Sequence, residues 1–84
     1  MDSQDNPKTD QNGIIQIDET RPISQQMSLD TYRRQVYLSM LKVQKVTIQE
    51  ADKLMKLYED DFQEFLNDNL TPVAAAGGMV IYYL

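Results

Sequence analysis

The sequence predicts a small all-α fold: a helical hairpin, closed by a short third helix and preceded by a flexible N-terminal arm. Three observations predict it. Thr47-Ile48-Gln49-Glu50 is a capping box, and a long run of apolar residues at helical spacing follows it. Upstream, Leu29, Tyr32, Val36, Met40 and Val43 recur three and four residues apart. Further on, Thr71-Pro72 joins a capping hydroxyl to a proline suited to the first helical position, ahead of an uncharged tail.

Residues 1–27 read as the arm. Residues 2–13 contain no large apolar side chain and are rich in Asp, Asn, Gln, Pro and Gly. Such a stretch buries too little surface to offset an ordering cost of about 1–2 kcal/mol per residue. Within the arm, Ile14, Ile15 and Ile17 form a β-prone apolar island, and Pro22 breaks any continuation. This island is a linker with stray apolar residues, or a docking segment that pairs with a partner or packs on the chain's own helices.

Residues 28–84 read as one small helical domain, with helices expected over 28–45, 47–69 and 72–83. Ser28 is a suitable N-cap for the first, and Asp30 falls in the turn where the helix dipole favours negative charge. Tyr37 and Leu41 widen its apolar stripe. The second carries Ile48, Ala51, Leu54, Met55, Tyr58, Phe62, Phe65 and Leu66 at helical spacing. The link from Val46 to Thr47 is so short that the two helices are expected to be antiparallel. In the tail, Ala74, Ala75 and Ala76 favour helix, whereas Gly77-Gly78 costs about 1 kcal/mol per glycine and Met79–Leu84 is β-prone. A short third helix, bent or stopped at the glycines, is expected; a helix-turn-strand ending is the alternative.

Composition narrows function. Eighty-four residues hold at most one small domain. With no Cys and no His, disulfides, Cys/His zinc sites and His-dependent nucleophile systems are excluded. Eight basic against thirteen acidic residues give a net charge of −5, which argues against nucleic-acid binding. The N-terminus has neither the basic start nor the apolar core of a secretory signal, so a cytoplasmic location or a place inside a larger assembly is expected, not secretion.

The charge is uneven: −3 over residues 1–27, +3 over 28–46 and −5 over 47–84. Glu59, Asp60, Asp61, Glu64 and Asp68 form the densest acidic cluster. Paired carboxylates can bind hard cations or move protons. Here Phe62 and Phe65 interrupt the run and the glycine of a calcium loop is missing, so a metal or catalytic site is not expected. On one long helix, Asp60, Glu64 and Asp68 would stand one turn apart on an exposed line. Such a line serves as a solvated face or as a contact surface for a basic partner. An antiparallel hairpin brings Arg33 and Arg34 near Glu64 and Asp68, giving weak surface ion pairs or an acidic face left free. Tyr32, Tyr37 and Tyr58 fall on or beside the apolar stripes and read as packing residues.

The tail decides the functional expectation. Its run of fifteen residues without a charged side chain, Leu70–Leu84, is short of the roughly 20 apolar residues of a membrane span. It is apolar nearly all round, and such a helix is normally covered on every side. Two short helices cannot cover both faces, so the remainder is expected to meet another subunit or a partner. Val73, Met79, Val80, Ile81, Tyr82, Tyr83 and Leu84 are the candidate contact residues, with Asp60, Asp61, Glu64 and Asp68 on an acidic face and Ile14, Ile15 and Ile17 in the arm.

The chain is thus expected to be a non-enzymatic protein–protein interaction or assembly module, without a cofactor, a small-molecule substrate or a nucleic-acid partner. A protein partner or a homo-oligomer completes it. The alternative is an acidic inhibitor whose carboxylates imitate phosphates and fill a basic groove. In size, acidity and lack of Cys the chain resembles, in general character and by no motif, small accessory proteins of bacteriophages. That likeness implies roles such as virion assembly or inhibition of host machinery.

Overall fold

The computed structural model describes residues 13–83. Four helices form: α1 at Leu29–Lys42, α2 at Ile48–Leu57, α3 at Phe62–Asn67 and α4 at Pro72–Tyr83, after a single 3-10 turn at Ile23–Gln25. The small all-α fold expected from the sequence is the fold observed. α1 is its hub: α4 packs on it most extensively, and α2 and α3 pack on its other sides. The core joins Tyr32, Val36 and Met40 of α1 to Ala51 and Leu54 of α2, Phe62 and Leu66 of α3, and Ala75, Ala76 and Met79 of α4.

Local chemistry sets the helix starts. The Ser28 hydroxyl accepts from the Thr31 N–H at 3.2 Å. At Thr47 both arms of the capping box close: the Glu50 N–H donates to Thr47 Oγ1 at 3.1 Å, and the Thr47 N–H donates to Glu50 Oε1 at 3.0 Å. Thr71 Oγ1 accepts from the Ala74 N–H at 3.1 Å, with Pro72 at the first helical position. α4 then runs through Gly77 and Gly78 to Tyr83, so the helix does not stop at the glycines and no strand forms over Met79–Tyr83. Burial of Met79 at its centre outweighs the β-propensity of the residues that follow. A Cβ at Gly77 would stand 3.3 Å from the Gln44 side-chain nitrogen, a close approach where α4 crosses the end of α1.

The helix expected over 47–69 is instead two helices, separated by a turn at residues 58–61. An acidic run coincides with the break. Glu59, Asp60 and Asp61 would lie in the second half of one long helix, where the dipole repels negative charge. In the turn Asp61 stands just ahead of Phe62, the first residue of α3, at the dipole end that favours negative charge, although its side chain makes no capping hydrogen bond. The break also lets α3 reach the 3-10 turn as well as α1.

The arm expected over 1–27 divides. Residues 1–12 lie outside the described residues. Residues 13–27 are tied to the rest of the fold, in large part by side-chain amides. Gln35 of α1 is buried; its Oε1 accepts from the Ile15 N–H at 2.8 Å and its Nε2 donates to the Gly13 carbonyl at 3.1 Å. Gln26 accepts from the Asp18 N–H at 2.8 Å and donates to the carbonyls of Asp18 and Arg21 at 2.7 and 2.9 Å. The Thr20 hydroxyl and N–H both donate to Asp18 Oδ1, at 2.6 and 2.9 Å, and hold that carboxyl below its ordinary range. Ile23 and Met27 enter the core, while Ile15 and Ile17 pack against it.

The link from α3 to α4 is tied to both. Asn69 takes the left-handed conformation at φ 62°. The Asn69 N–H donates to the Leu66 carbonyl and the Leu70 N–H to the Phe65 carbonyl, each at 3.1 Å. This is the Schellman ending, with Asn in the place usually held by Gly. Asn69 Oδ1 accepts from the Ile23 N–H at 2.8 Å, and the Tyr32 hydroxyl donates to the Leu70 carbonyl at 2.8 Å.

Tyr32 is fully buried, and burial raises its pKa from 10.0 to about 12. The folded state therefore holds this proton more tightly than the unfolded chain. Its contribution to stability is intact below pH 10 and is lost as pH rises from 10 towards 12. Urea unfolding at stepped pH should show stability falling across that window, by up to about 2–3 kcal/mol. Tyr32→Phe should cost about 1 kcal/mol at neutral pH through the lost hydrogen bond, and should flatten the alkaline fall. An alkaline profile identical in the two proteins would contradict this assignment.

Candidate interaction site

The tail residues separate into two sets. Met79 is core, and Val80 packs against the core. Tyr83 leans on α2, where the Lys53 ammonium lies 5.7 Å from its ring centroid. Ile81 and Tyr82 face outward, 74% and 85% exposed, and Val73 is also exposed. Leu84 lies outside the described residues. Of the expected contact residues in the tail, the structure therefore leaves Val73, Ile81, Tyr82 and Tyr83 on the surface and takes Met79 into the fold. This follows from the helical period, because the inward face is Pro72, Ala75, Ala76 and Met79.

Beside this outward face lies an apolar groove of about 260 Å³, lined by Tyr58, Phe65, Leu70, Ala74, Ala75, Gly78, Met79 and Tyr82. Its depth comes from small residues. Ala74 and Gly78 stand one turn apart on α4, and a Cβ built on Gly78 would meet nothing within 4 Å. Its far wall is aromatic: the Tyr58 and Phe65 ring centroids are 6.3 Å apart, and Phe65 meets Phe62 edge-on at 5.9 Å. Phe62 is the buried anchor beneath, and Phe65 is half-buried.

Two acidic residues flank that wall. Asp61 and Asp68 bracket α3 as its N-terminal and C-terminal flanking residues, four before and three after Phe65, and so lie on its side of the helix. Asp60, Glu64 and Asp68 are exposed and Asp61 is half-buried. Because the chain turns at 58–61, the continuous line expected from Asp60 through Glu64 to Asp68 does not form on one helix. Arg33 does reach α3, but its guanidinium stands 5.7 Å from the Phe62 ring centroid, and no ion pair joins it to Glu64 or Asp68. Among the described residues no group of three or more Asp, Glu, His or Cys side chains is placed to hold a metal ion, and no helix is long and apolar enough to cross a membrane.

In the arm, Ile14, Ile15 and Ile17 are half-buried. Ile15 and Ile17 pack on the chain's own core, one of the two uses open to this island. Leu70 and Ala74 belong to the groove although the sequence marks neither as a contact residue. Their signal lies in the spacing Leu70, Ala74, Gly78, Tyr82, a strict four-residue repeat that places two small residues between two bulky ones.

The chain matches no protein-family model, no curated protein and no solved structure.

Proposed function

We propose that this chain is a small, acidic, non-enzymatic protein-interaction module. Its outward α4 face and the adjoining groove are covered by another polypeptide in its working state, as in an accessory or assembly component. The observation that carries the reading is the continuity of exposed Ile81 and Tyr82 with a groove whose lining is almost wholly apolar. Isolated exposed apolar residues need no explanation, whereas a contiguous patch with a concave centre is the usual mark of an interaction site.

The second reading is an acidic inhibitor that occupies a basic groove. It draws support from the exposed carboxylates of residues 60–68. It ranks below the first because the turn at 58–61 breaks their regular spacing.

The test is the double substitution Ile81→Lys with Tyr82→Lys. Both side chains lie outside the core, so the urea midpoint should move by no more than about 0.5 kcal/mol equivalent. Fluorescence of the neutral apolar dye Nile red, added to the protein, should fall several-fold. A stability loss above about 2 kcal/mol would assign the face to the fold, and an unchanged dye signal would deny it a binding role.

A further inference from the structure

We propose that the groove between α3 and α4 takes one face of a cationic amphipathic helix from a different protein. This rests on the interaction reading above and names the partner's chemistry. Three candidate occupants differ in charge and apolarity.

The first is the chain's own N-terminal segment. Residues 1–12 offer only Met1 as a large apolar side chain against an apolar lining, and they carry three Asp and one Lys. They supply neither the bulk nor the charge that the groove calls for.

The second is another copy of this chain. All of the lining comes from residues 58–82. From Leu57 to Leu84 there are five carboxylates, Glu59, Asp60, Asp61, Glu64 and Asp68, and no Lys or Arg. A two-fold dimer is self-complementary and sets the same patch against itself. Seating one groove region on its twin would bring two such carboxylate sets together, with Arg33 over Phe62 and Lys53 beside Tyr83 as the neighbouring cations on each copy. Like charges across an interface cost affinity and suppress the wrong partner.

The third satisfies both features. A helix laid in a groove anchors through bulky apolar residues at positions i, i+3 or i+4, and i+7. The hollow over Ala74 and Gly78 receives such a side chain, with Tyr58, Phe65 and Tyr82 around it. Lys or Arg flanking that apolar stripe then meets Asp61 and Asp68 at the two ends of α3, with Glu64 one residue before Phe65. Arg is the better match where the rim also presents aromatic faces, as the stacking of this chain's own Arg33 on Phe62 illustrates.

The experiment uses the full chain and two fluorescently labelled model peptides of about five helical turns, one built from Leu and Lys and the other from Leu and Glu. Binding is followed by anisotropy, and the solution mass of the chain alone by light scattering. Three variants accompany the wild type. Gly78→Leu fills the groove at a position with open space around its Cβ. Tyr82→Lys changes an exposed rim residue that the core does not use. Asp61→Asn with Glu64→Gln and Asp68→Asn neutralises the rim.

The proposal expects the Leu/Lys peptide to bind at least tenfold more tightly than the Leu/Glu peptide. It expects Gly78→Leu to weaken that binding about tenfold or more without a change of rim charge, and Tyr82→Lys to weaken it at least as much, by removing an aromatic wall and adding a like charge. It expects the neutralised rim to weaken binding and to flatten its salt dependence. Equal binding of the Leu/Lys peptide to wild type, Gly78→Leu and Tyr82→Lys would overturn it, since attraction to acid alone would then be at work. A dimer in wild type that becomes a monomer in Gly78→Leu would also overturn it, by giving the groove to a second copy. That last result leaves the interaction reading standing, whereas the Nile red test on the Lys double variant can fail independently of it.

Discussion

Phe62→Ala should destabilise the protein by about 3–5 kcal/mol, as expected for deleting a buried aromatic ring. Phe62 is fully buried and begins α3. Its ring meets Phe65 edge-on at 5.9 Å and lies beneath the Arg33 guanidinium at 5.7 Å. The substitution therefore removes core volume, an aromatic pair and a cation–π contact together. For a chain of 84 residues, total stability is on the order of 4–12 kcal/mol, so much of the population should unfold at modest temperature. Phe62→Leu should recover most of the loss. Ile48→Ala is the contrasting control: Ile48 opens the apolar series of α2 in the sequence but is 62% exposed, and its truncation should stay within about 0.5 kcal/mol. Urea unfolding of the three variants checks this. A Phe62→Ala cost below about 1 kcal/mol would mean that α3 is not anchored as described.

Asn69→Ala should cost about 2 kcal/mol, more than an exposed position normally allows. Two effects combine. The left-handed backbone at φ 62° disfavours a Cβ by about 1 kcal/mol, a penalty that Asn tolerates better than Ala. The lost Oδ1 leaves the Ile23 N–H, which it accepts at 2.8 Å, without its partner. Asn69→Gly separates the two, because it relieves the backbone but not the hydrogen bond, and should fall between wild type and Ala. Thermal melts rank the three, and amide exchange at Ile23 should quicken in both variants. If Gly and Ala behave alike, the backbone conformation is not the source of the cost.

Asn69 also shows what the sequence does and does not disclose. The helix starts are legible because capping is local chemistry: Ser28, the Thr47–Glu50 box and Thr71-Pro72 each act within four residues. The interruption at 58–61 is hidden because Tyr58, Phe62, Phe65 and Leu66 keep helical spacing across it. The three consecutive acidic residues there are the available signal, read through the dipole and not through apolar period. The packing of residues 13–27 is hidden for a different reason. Gln26, Gln35 and Asn69 are polar residues that composition assigns to solvent, yet each satisfies backbone groups of the arm. Their farthest partner lies 46 residues away, and no local pattern encodes such distances.

The candidate site was partly legible. An uncharged tail that its own helices cannot cover follows from composition, and exposed Val73, Ile81 and Tyr82 accord with it. Which tail residues face inward depends on the phase of α4 against α1, so Met79 was not separable from Ile81 by sequence. The groove needs α3 to turn away from α2, and the sequence does not announce that turn.

The most direct test of the account is a methyl NMR titration of the full chain with the Leu/Lys peptide. Shifts should concentrate at the methyls of Ala74, Ala75 and Met79, which line the groove, with Met40 in the α1 core and Met27 beside the 3-10 turn nearly unmoved. Shifts at Met27 and Met40 without change at Ala74 and Ala75 would contradict it, and would place the binding surface elsewhere on the molecule.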